Sequence, residues 1–224
     1  MMTIITQYSA VNLADEAGVD CTKWNTIPGP DAVDLTIRAL KEHGMTVILV
    51  KTGNEALSML QKIVPPGAEV MNGSSTTLIE IGYEEWTSQG NTGWKHLHET
   101  ITAENDDKKR QELRRKSVTA EYFISGANAI SQTGEIVACD ASGSRVGAWP
   151  FAAGHLILVI GTNKIVPTLK DALDRVWNYA FRLENARAKK AYGIPSTMGK
   201  CVILANEKIP GRVTVILVNE VLGY

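Results

Sequence analysis

The stretch HLILVIGTNKIVPTLKDALDRV, residues 155–176, contains a strand, a polar loop and the beginning of a helix. His155 to Ile160 is the most hydrophobic strand-length segment of the chain and predicts a central strand. From Leu169 onward apolar residues recur at helical spacing, which predicts a long amphipathic helix. Its apolar positions are Leu169, Leu173, Val176, Trp177, Ala180 and Leu183. A strand that leads into a helix is the building unit of an α/β fold.

Strand and helix patterns alternate on both sides of this stretch. Met45 to Val50 is a continuous apolar run, which predicts a strand covered on both faces. Asn54 is a candidate N-cap for a helix that ends at Ile63. Residues 201–205 and 213–218 predict two closing strands, with a turn at residues 210–211 between them. We therefore expect an α/β fold with a largely parallel sheet.

The remaining segments complete a single domain. Residues 129–131 and 135–140 predict a hairpin, whereas residues 84–100 show no periodicity and are expected to be irregular. Residues 1–27 predict an N-terminal helical extension with a helix end near Gly18. Because no repeat or low-complexity linker divides the chain, we predict one domain over residues 1–224.

The composition excludes several classes of protein. The 224 residues are 44% hydrophobic and 21% charged, with a formal net charge of −1. These values argue against disorder and against a general attraction to nucleic acid or anionic lipid. No apolar run approaches the roughly 20 residues of a membrane span, and the N-terminus lacks the pattern of a secretory signal.

The three cysteines point to a reducing environment. Cys21, Cys139 and Cys201 are scattered and form no CxxC motif, so neither a disulfide framework nor a metal site is expected. Free thiols persist where the surroundings are reducing, and we predict a cytoplasmic protein.

The loop Asn72-Gly73-Ser74-Ser75-Thr76-Thr77 follows a short predicted strand at residues 68–71. Its main-chain N–H groups and hydroxyls, near the start of a helix, suit a phosphate or carboxylate. It is not a Walker loop, because no lysine stands at the required spacing. The alternative is an ordinary helix N-cap, for which Ser and Thr are preferred.

A second polar segment, residues 125–135, follows another predicted strand. Gly126 and Asn128 indicate a tight turn where the main chain can approach a ligand. Glu135, just after Thr133 and Gly134, could act as a general base or a carboxylate nucleophile. The alternative, which the sequence favours, is a plain hairpin turn followed by a solvated glutamate.

Two cations are candidates for binding an anion. Arg145 could hold a carboxylate or phosphate with its planar guanidinium, or pair with Asp140 and only stiffen its own loop. Asn163 and Lys164 follow the predicted central strand, and ligands of open α/β sheets bind outside the carboxyl ends of strands. For Lys164 the alternative is a plain surface lysine.

Four segments together resemble the lactate-utilization (LUD) domain family, formerly the domain of unknown function DUF162, in its stand-alone form. They are NGSSTTLIEIG (72–82), RRKSVTAEYFISGANAISQTGEIVACDASGSRVGA (114–148), HLILVIGTNKIVPTLKDALDRV (155–176) and VTVILVNEVLGY (213–224). The matching positions are Gly73, Ser74, Ser75, Thr76, Glu80, Gly126, Asn128, Thr133, Gly134, Asp140, Gly143, Arg145, Gly161, Asn163 and Lys164.

The resemblance implies a Rossmann-like layered sheet, similar to the NagB/RpiA/CoA transferase-like fold. It also implies a link to the oxidation of L-lactate to pyruvate, in which such proteins act alongside iron–sulfur subunits. It supplies no established catalytic residue. Many stand-alone members carry several cysteines in the C-terminal segment, but here STMGKCVILANEKIPG keeps only Cys201. We therefore expect no iron–sulfur cluster in this chain, and the cofactor stays unknown.

The leading hypothesis is a lactate-utilization protein that binds a small anionic organic acid or a phosphorylated cofactor at strand-end loops. Residues 74–77 would donate hydrogen bonds to the anion, Arg145 and Lys164 would supply countercharge, and Asn128 and Asn163 would orient it.

Two other hypotheses belong to different classes. The chain could be an acyl- or CoA-transferase-like enzyme with Glu135 as nucleophile. It could also be a non-catalytic subunit that docks onto an iron–sulfur oxidoreductase through Trp86, Trp94 and the segment around them, since aromatic residues anchor interfaces. Whether the chain is an enzyme, and whether it forms a homo-oligomer, are left open.

Overall fold

The computed structural model describes residues 7–224. The strands are β1 (Thr46–Val50), β2 (Glu69–Asn72), β3 (Lys95–His96), β4 (Tyr122–Ser125), β5 (Ala129–Ser131), β6 (Ile136–Asp140), β7 (His155–Gly161), β8 (Ile165–Val166), β9 (Lys200–Leu204) and β10 (Val213–Val218). A six-stranded sheet has the order β1–β10–β7–β4–β2–β3, and its pairings are all parallel. A smaller sheet has the order β8–β5–β6–β9 and contains the predicted antiparallel hairpin of β5 and β6.

Helices cover the strands and connect them. They are α1 (Ala10–Ala17), α2 (Cys21–Trp24), α3 (Pro30–Glu42), α4 (Gly53–Ile63), α5 (Thr76–Glu80), α6 (Tyr83–Ser88), α7 (Leu97–Ala103), α8 (Asp107–Lys116), α9 (Leu169–Arg175) and α10 (Phe181–Tyr192). A π-helical segment, Val176–Ala180, joins α9 to α10. No helix within residues 7–224 is long and apolar enough to cross a membrane.

Alternate residues of β7 pack into two separate hydrophobic layers. Leu156 and Leu158 face a core that includes apolar side chains of the smaller sheet, whereas Ile157 and Val159 face a core that includes side chains of α4. Residues 156–161 are all buried. The layered α/β fold and the central position of this strand are therefore confirmed.

The structure corrects the prediction for the first strand. β1 is the edge of the large sheet, because β10 lies between it and β7. Both of its faces are covered only in part: Val47 and Ile48 are half-buried against the two separate cores, and Leu49 is 48% exposed. The cap of the following helix also differs, since Thr52 accepts the hydrogen bond from the Glu55 N–H and Asn54 lies inside α4.

Two more local predictions were wrong. Residues 84–100 are not irregular, because they contain most of α6, the short β3 and the first residues of α7. β9 and β10 do not close one sheet together, since β9 is the edge of the smaller sheet and β10 is internal to the larger one. In the N-terminal extension, α1 ends at Gly18 as predicted and packs against α10, while residues 1–6 lie outside the described residues.

Candidate functional site

The polar loops that follow β2, β4, β6 and β7 converge at one edge of the fold. They enclose a cavity of about 650 Å³, which we call the strand-end cavity. The lining residues that these loops supply are Gly73, Ser74, Ser75, Thr76, Gly126, Ala127, Asn128, Asp140, Ala141, Ser144, Arg145 and Lys164. The volume lies in the range of pockets that bind small molecules, about 300–1,000 Å³.

Two glycines allow these loops to approach one another. A Cβ atom at Gly73 would lie 2.5 Å from Arg145 Cγ, and one at Gly126 would lie 2.5 Å from Ser75 Oγ. Real side chains do not tolerate such distances, so a larger residue at either position would displace the Arg145 or the Ser75 side chain. Ser75 also caps the following helix, since its Oγ accepts from the Leu78 N–H at 3.4 Å.

The hydroxyls of the 72–77 loop have different environments. Thr77 is buried beneath the cavity, and its Oγ1 accepts a hydrogen bond from Lys164. Within the described part of the chain, the Ser74 and Thr76 hydroxyls form no hydrogen bond, and both residues line the cavity. α5 has only five residues, so its dipole adds little.

Arg145 connects its own loop to the loop after β4 and to strand β6. Its Nη1 donates to Gly126 O at 2.8 Å, and its Nη2 donates to Asn128 Oδ1 at 3.3 Å and to Cys139 O. The predicted alternative, a guanidinium paired with Asp140, is not observed among residues 7–224; the Asp140 carboxylate accepts instead from the Arg145 main-chain N–H at 2.8 Å. The guanidinium is therefore held by neutral oxygens.

Lys164 is not a surface lysine, because it is only 1% exposed. Its Nζ donates to Thr77 Oγ1 at 2.8 Å, to Ala127 O at 2.9 Å and to Tyr224 O at 3.4 Å. Burial, and then the neighbouring Arg175, lower the pKa of Lys164 well below its ordinary value. Thr77 Oγ1 and Ala127 O are neutral acceptors, whereas Tyr224 is the last residue of the sequence.

Arg175, which was not a predicted site residue, lies behind this cavity wall. It is fully buried; its Nη1 donates to Asn128 O, while its Nε and Nη2 have no hydrogen-bond partner in residues 7–224. Burial lowers the pKa of Arg175 to about 10. Its guanidinium carbon lies 5.0 Å from the centroid of the Tyr179 ring, in the π-helical segment.

Glu80 is the carboxylate whose charge acts on Lys164. Its Oε2 accepts from the Gly223 N–H at 2.6 Å. Burial raises the pKa of Glu80, and this effect exceeds the opposing influence of the Gly223 hydrogen bond and of Lys164. Because its ionised form is disfavoured, Glu80 compensates the buried cations poorly.

The opposite wall of the cavity comes largely from α10 and the residues after it. Glu184 and Arg187 form a two-point ion pair there, with both N–O distances at 2.7 Å. The Tyr224 hydroxyl donates to Glu184 Oε2 at 3.4 Å. Lining residues from this wall are Ala180, Phe181, Glu184, Arg187, Tyr192, Ser196 and Thr197.

Asn163 was a predicted ligand residue, but in the structure it positions the chain behind the cavity. It is 2% exposed, its Oδ1 accepts from the Leu222 N–H at 3.1 Å, and its Nδ2 donates to Asn25 Oδ1 at 3.3 Å. It is not among the residues that line the cavity. Asn163 therefore fixes the C-terminal segment that carries Tyr224.

Thr133 and Glu135 are not brought to the cavity either. They lie at the β5–β6 turn, where Glu135 accepts hydrogen bonds from Ser131 and, at 2.5 Å, from Thr133. Burial raises the pKa of Glu135, but these hydrogen bonds outweigh it and the net pKa is lowered. His43 Nδ1 lies 3.3 Å from Gly134 O, so the turn packs against the end of α3. The arrangement is that of a hydrogen-bonded hairpin turn.

The two tryptophans considered for docking are half-buried. Their ring centroids are 4.9 Å apart in an edge-to-face contact, and both pack against the core. The Trp94 Nε1 donates to Val64 O at 3.2 Å. Their packing is explained without a partner, and docking to an iron–sulfur protein stays a prediction. Residues 7–224 contain no cluster of three or more His, Cys, Asp or Glu side chains that could hold a metal ion.

The buried position of Lys164 predicts a pH-dependent stability. The folded chain releases the Lys164 proton at a lower pH than the unfolded chain, whose pKa is near the ordinary 10.5. Between these two values the unfolded chain binds more protons, so the free energy of unfolding rises with pH, by at most about 1.4 kcal/mol per unit. Urea denaturation at several pH values from 7 to 9.5 should show a steeper rise for the parent chain than for Lys164→Met. Parallel curves would contradict an altered Lys164 pKa.

Comparisons with known proteins agree with the architecture. A family model described as "LUD domain" matches residues 33–218. A solved DUF162 family protein from Deinococcus radiodurans is similar with a TM-score of 0.52 and 14% identity, over 84% of this chain and 97% of that chain. At this identity the likeness shows the fold alone.

A second solved structure is more distant. It is a D-ribose-5-phosphate isomerase in complex with phospho-erythronic acid, with a TM-score of 0.30 and 12% identity over 52% of this chain and 54% of that chain. A likeness of that extent supports no conclusion about this chain. No curated protein matches the sequence.

Proposed function

Because the chain belongs to the LUD domain family, which associates it with lactate utilization, we propose that it binds a small organic anion in the strand-end cavity. The ligand is a carboxylate such as L-lactate or pyruvate, or a phosphorylated cofactor. The binding serves the oxidation of L-lactate to pyruvate.

One observation carries this proposal: Arg145, Lys164 and Arg175 have no side-chain carboxylate within ion-pair distance in residues 7–224. Arg145 and Arg175 donate to neutral oxygens, whereas Lys164 donates to Thr77 Oγ1, to Ala127 O and, at 3.4 Å, to the main-chain O of Tyr224, the last residue of the sequence. Buried charges in proteins are normally paired, because an isolated one carries a large desolvation cost. An anion in the cavity would supply the missing charge for Arg145 and Lys164, which line it, and a longer-range attraction for Arg175.

The other lining groups fit the same chemistry. Ser74 and Thr76 line the cavity, and their hydroxyls can donate hydrogen bonds to anionic oxygens. Two of the lining carboxylates are engaged, since Asp140 accepts main-chain N–H groups and Glu184 pairs with Arg187. A third carboxylate, that of Glu84, also lines the cavity.

The proposal also predicts that ligand binding takes up protons. Burial and the adjacent Arg175 lower the pKa of Lys164 in the free protein, and a bound anion would raise it. Calorimetric titration with L-lactate, pyruvate, ribose 5-phosphate and coenzyme A, each in two buffers of different ionisation enthalpy, measures this uptake. We expect saturable binding by at least one of these compounds, with proton uptake.

Two lysine variants distinguish binding in the strand-end cavity from nonspecific binding at the protein surface. Lys164→Met should weaken binding about tenfold or more and abolish the proton uptake. Lys170→Met, at an exposed position on α9, is the matched control and should bind as the parent does. If a folded sample binds none of the four compounds, or if Lys164→Met binds equally well, the proposed function is wrong.

A further inference from the structure

Two of the three cysteines, distant in sequence, lie directly opposite each other in the smaller sheet. In the antiparallel pairing of β6 with β9, Cys139 is the partner of Cys201. Opposite residues of antiparallel strands project their side chains on the same face of the sheet. The two thiols are therefore neighbours. Both cysteines are free in this structure.

Main-chain hydrogen bonds show which type of cross-strand pair this is. The Val137 carbonyl accepts from the Asn128 N–H at 3.0 Å, so Val137 directs its main-chain groups toward β5. Cys139, two residues later, does the same: its N–H donates to Asn128 Oδ1 at 3.0 Å, and its carbonyl accepts from Arg145 Nη2. Cys139 and Cys201 thus form a non-hydrogen-bonded pair.

The geometry of such a pair suits a disulfide. Cα atoms of non-hydrogen-bonded pairs are about 4.5 Å apart, with their side chains close together. Disulfides span Cα separations of roughly 4.4–6.8 Å. A bond between Cys139 and Cys201 would therefore form with little movement of either strand.

The two thiols differ in access to solvent. Cys201 is exposed on the edge strand β9, whereas Cys139 is half-buried and lines the strand-end cavity. A small oxidant can therefore reach Cys201 first, and Cys139 stands beside it to resolve the intermediate. Cys21 lies elsewhere, within 3.5 Å of Ala10 O and 3.7 Å of the Tyr179 hydroxyl.

We propose that Cys139 and Cys201 are a reversible thiol–disulfide pair, oxidised by low-molecular-weight disulfides, in the wall of the strand-end cavity. The Cys201 thiolate attacks one sulfur of the small disulfide and releases a thiol. The Cys139 thiolate then attacks Cys201 Sγ and releases the second thiol. The protein loses two electrons and two protons, and the small disulfide becomes two thiols.

The local environment controls the rate of this exchange. Burial raises the pKa of Cys139 to about 11 and also raises the pKa of Cys201. Because the thiolate is the reactive form, both thiols are resistant at neutral pH and react faster as the pH rises.

The test uses the full chain with glutathione disulfide at pH 8.5, followed by mass spectrometry without reduction. The expected product has lost two hydrogen atoms and yields a linked peptide that contains Cys139 and Cys201. Thermal unfolding should shift upward by about 5 °C or more, since the bond closes a long loop. Dithiothreitol should reverse both changes.

Variants make the result specific. Cys201→Ser, at an exposed position, and Cys139→Ser should each lose the intramolecular link, whereas Cys21→Ser should keep it. Stable addition of glutathione to Cys201 without the link, a link that involves Cys21, or three unreacted thiols would each overturn the proposal. None of these outcomes depends on whether the cavity binds an anion.

Discussion

Replacing Arg145 with methionine is expected to weaken anion binding in the strand-end cavity by at least about 30-fold, or about 2 kcal/mol. The substitution removes a cation that lines the cavity and also removes the hydrogen bonds to Gly126, Asn128 and Cys139 that join its loop to the loop after β4 and to strand β6. Calorimetry with whichever anion binds the parent chain measures the loss. An unchanged affinity would mean that the ligand, if any, binds elsewhere.

A second substitution distinguishes the effect of the position of Arg145 on anion affinity from the effect of its charge. In Gly73→Ala the new Cβ would lie 2.5 Å from Arg145 Cγ and 2.6 Å from Cδ, so the arginine must move while its charge is kept. We expect a smaller loss of affinity than in Arg145→Met. Gly29→Ala is the matched control, because nothing lies within 4 Å of the Cβ added there.

The hydrophobic pattern of the sequence predicted most of the strands but not their neighbours. The run at residues 155–160 is central, as predicted, whereas the similar run at residues 45–50 lies at an edge. Each run has one polar residue among six, and their different positions arise because β10, from the far end of the chain, inserts between β1 and β7. Local hydrophobicity indicates whether a segment tends to be buried, but it does not indicate which strands become its neighbours in the sheet.

The candidate site was predicted in part for a similar reason. Loops after parallel strands converge at the carboxyl edge of the large sheet, which is why Gly73, Asn128 and Lys164 meet. Arg145 joins them from the loop after β6, a strand of the smaller sheet. Glu135 has equally suggestive neighbours but follows an antiparallel hairpin turn in the other sheet. Composition alone does not distinguish a hairpin turn from a loop that faces a ligand.

Arg175 could have been predicted as a buried residue from the pattern of its helix. It lies on the same face of its helix as Ala172 and Tyr179, which are both fully buried. A charged residue inside an apolar stripe at helical spacing is unusual, because burial of a charge is costly. The cysteine pair gave no comparable signal, since only the register of β6 with β9 brings Cys139 and Cys201 together.

The cavity cations contrast with a buried arginine at the other end of the same sheet. Arg212, just before β10, donates its Nε to Glu207 Oε2 at 2.6 Å and its Nη2 to Trp149 O at 2.8 Å. Side-chain exposures are 4% for Arg212 and 7% for Glu207. Here the positive charge has a carboxylate partner, so no ligand is needed, and the pair serves the fold.

Breaking this pair is expected to cost more stability than any change at the cavity. Arg212→Met leaves the Glu207 carboxylate buried without its cation, for which the expected loss is about 3–5 kcal/mol in the free energy of unfolding. Chemical denaturation measures the loss. The double variant Arg212→Met with Glu207→Leu should recover a large part of it, because both charges are then absent.

The same variants test whether the two ends of the sheet act separately. Arg212 binds the beginning of β10, whereas the strand-end cavity lies past the other end of the neighbouring strands. In conditions where the Arg212→Met chain stays folded, its anion affinity should therefore equal that of the parent. Arg145→Met should instead lose much of its anion affinity and lose less stability than Arg212→Met. Equal stability losses in the single and double variants would show that the main-chain contacts of Arg212, rather than its charge pairing with Glu207, stabilise this end of the fold.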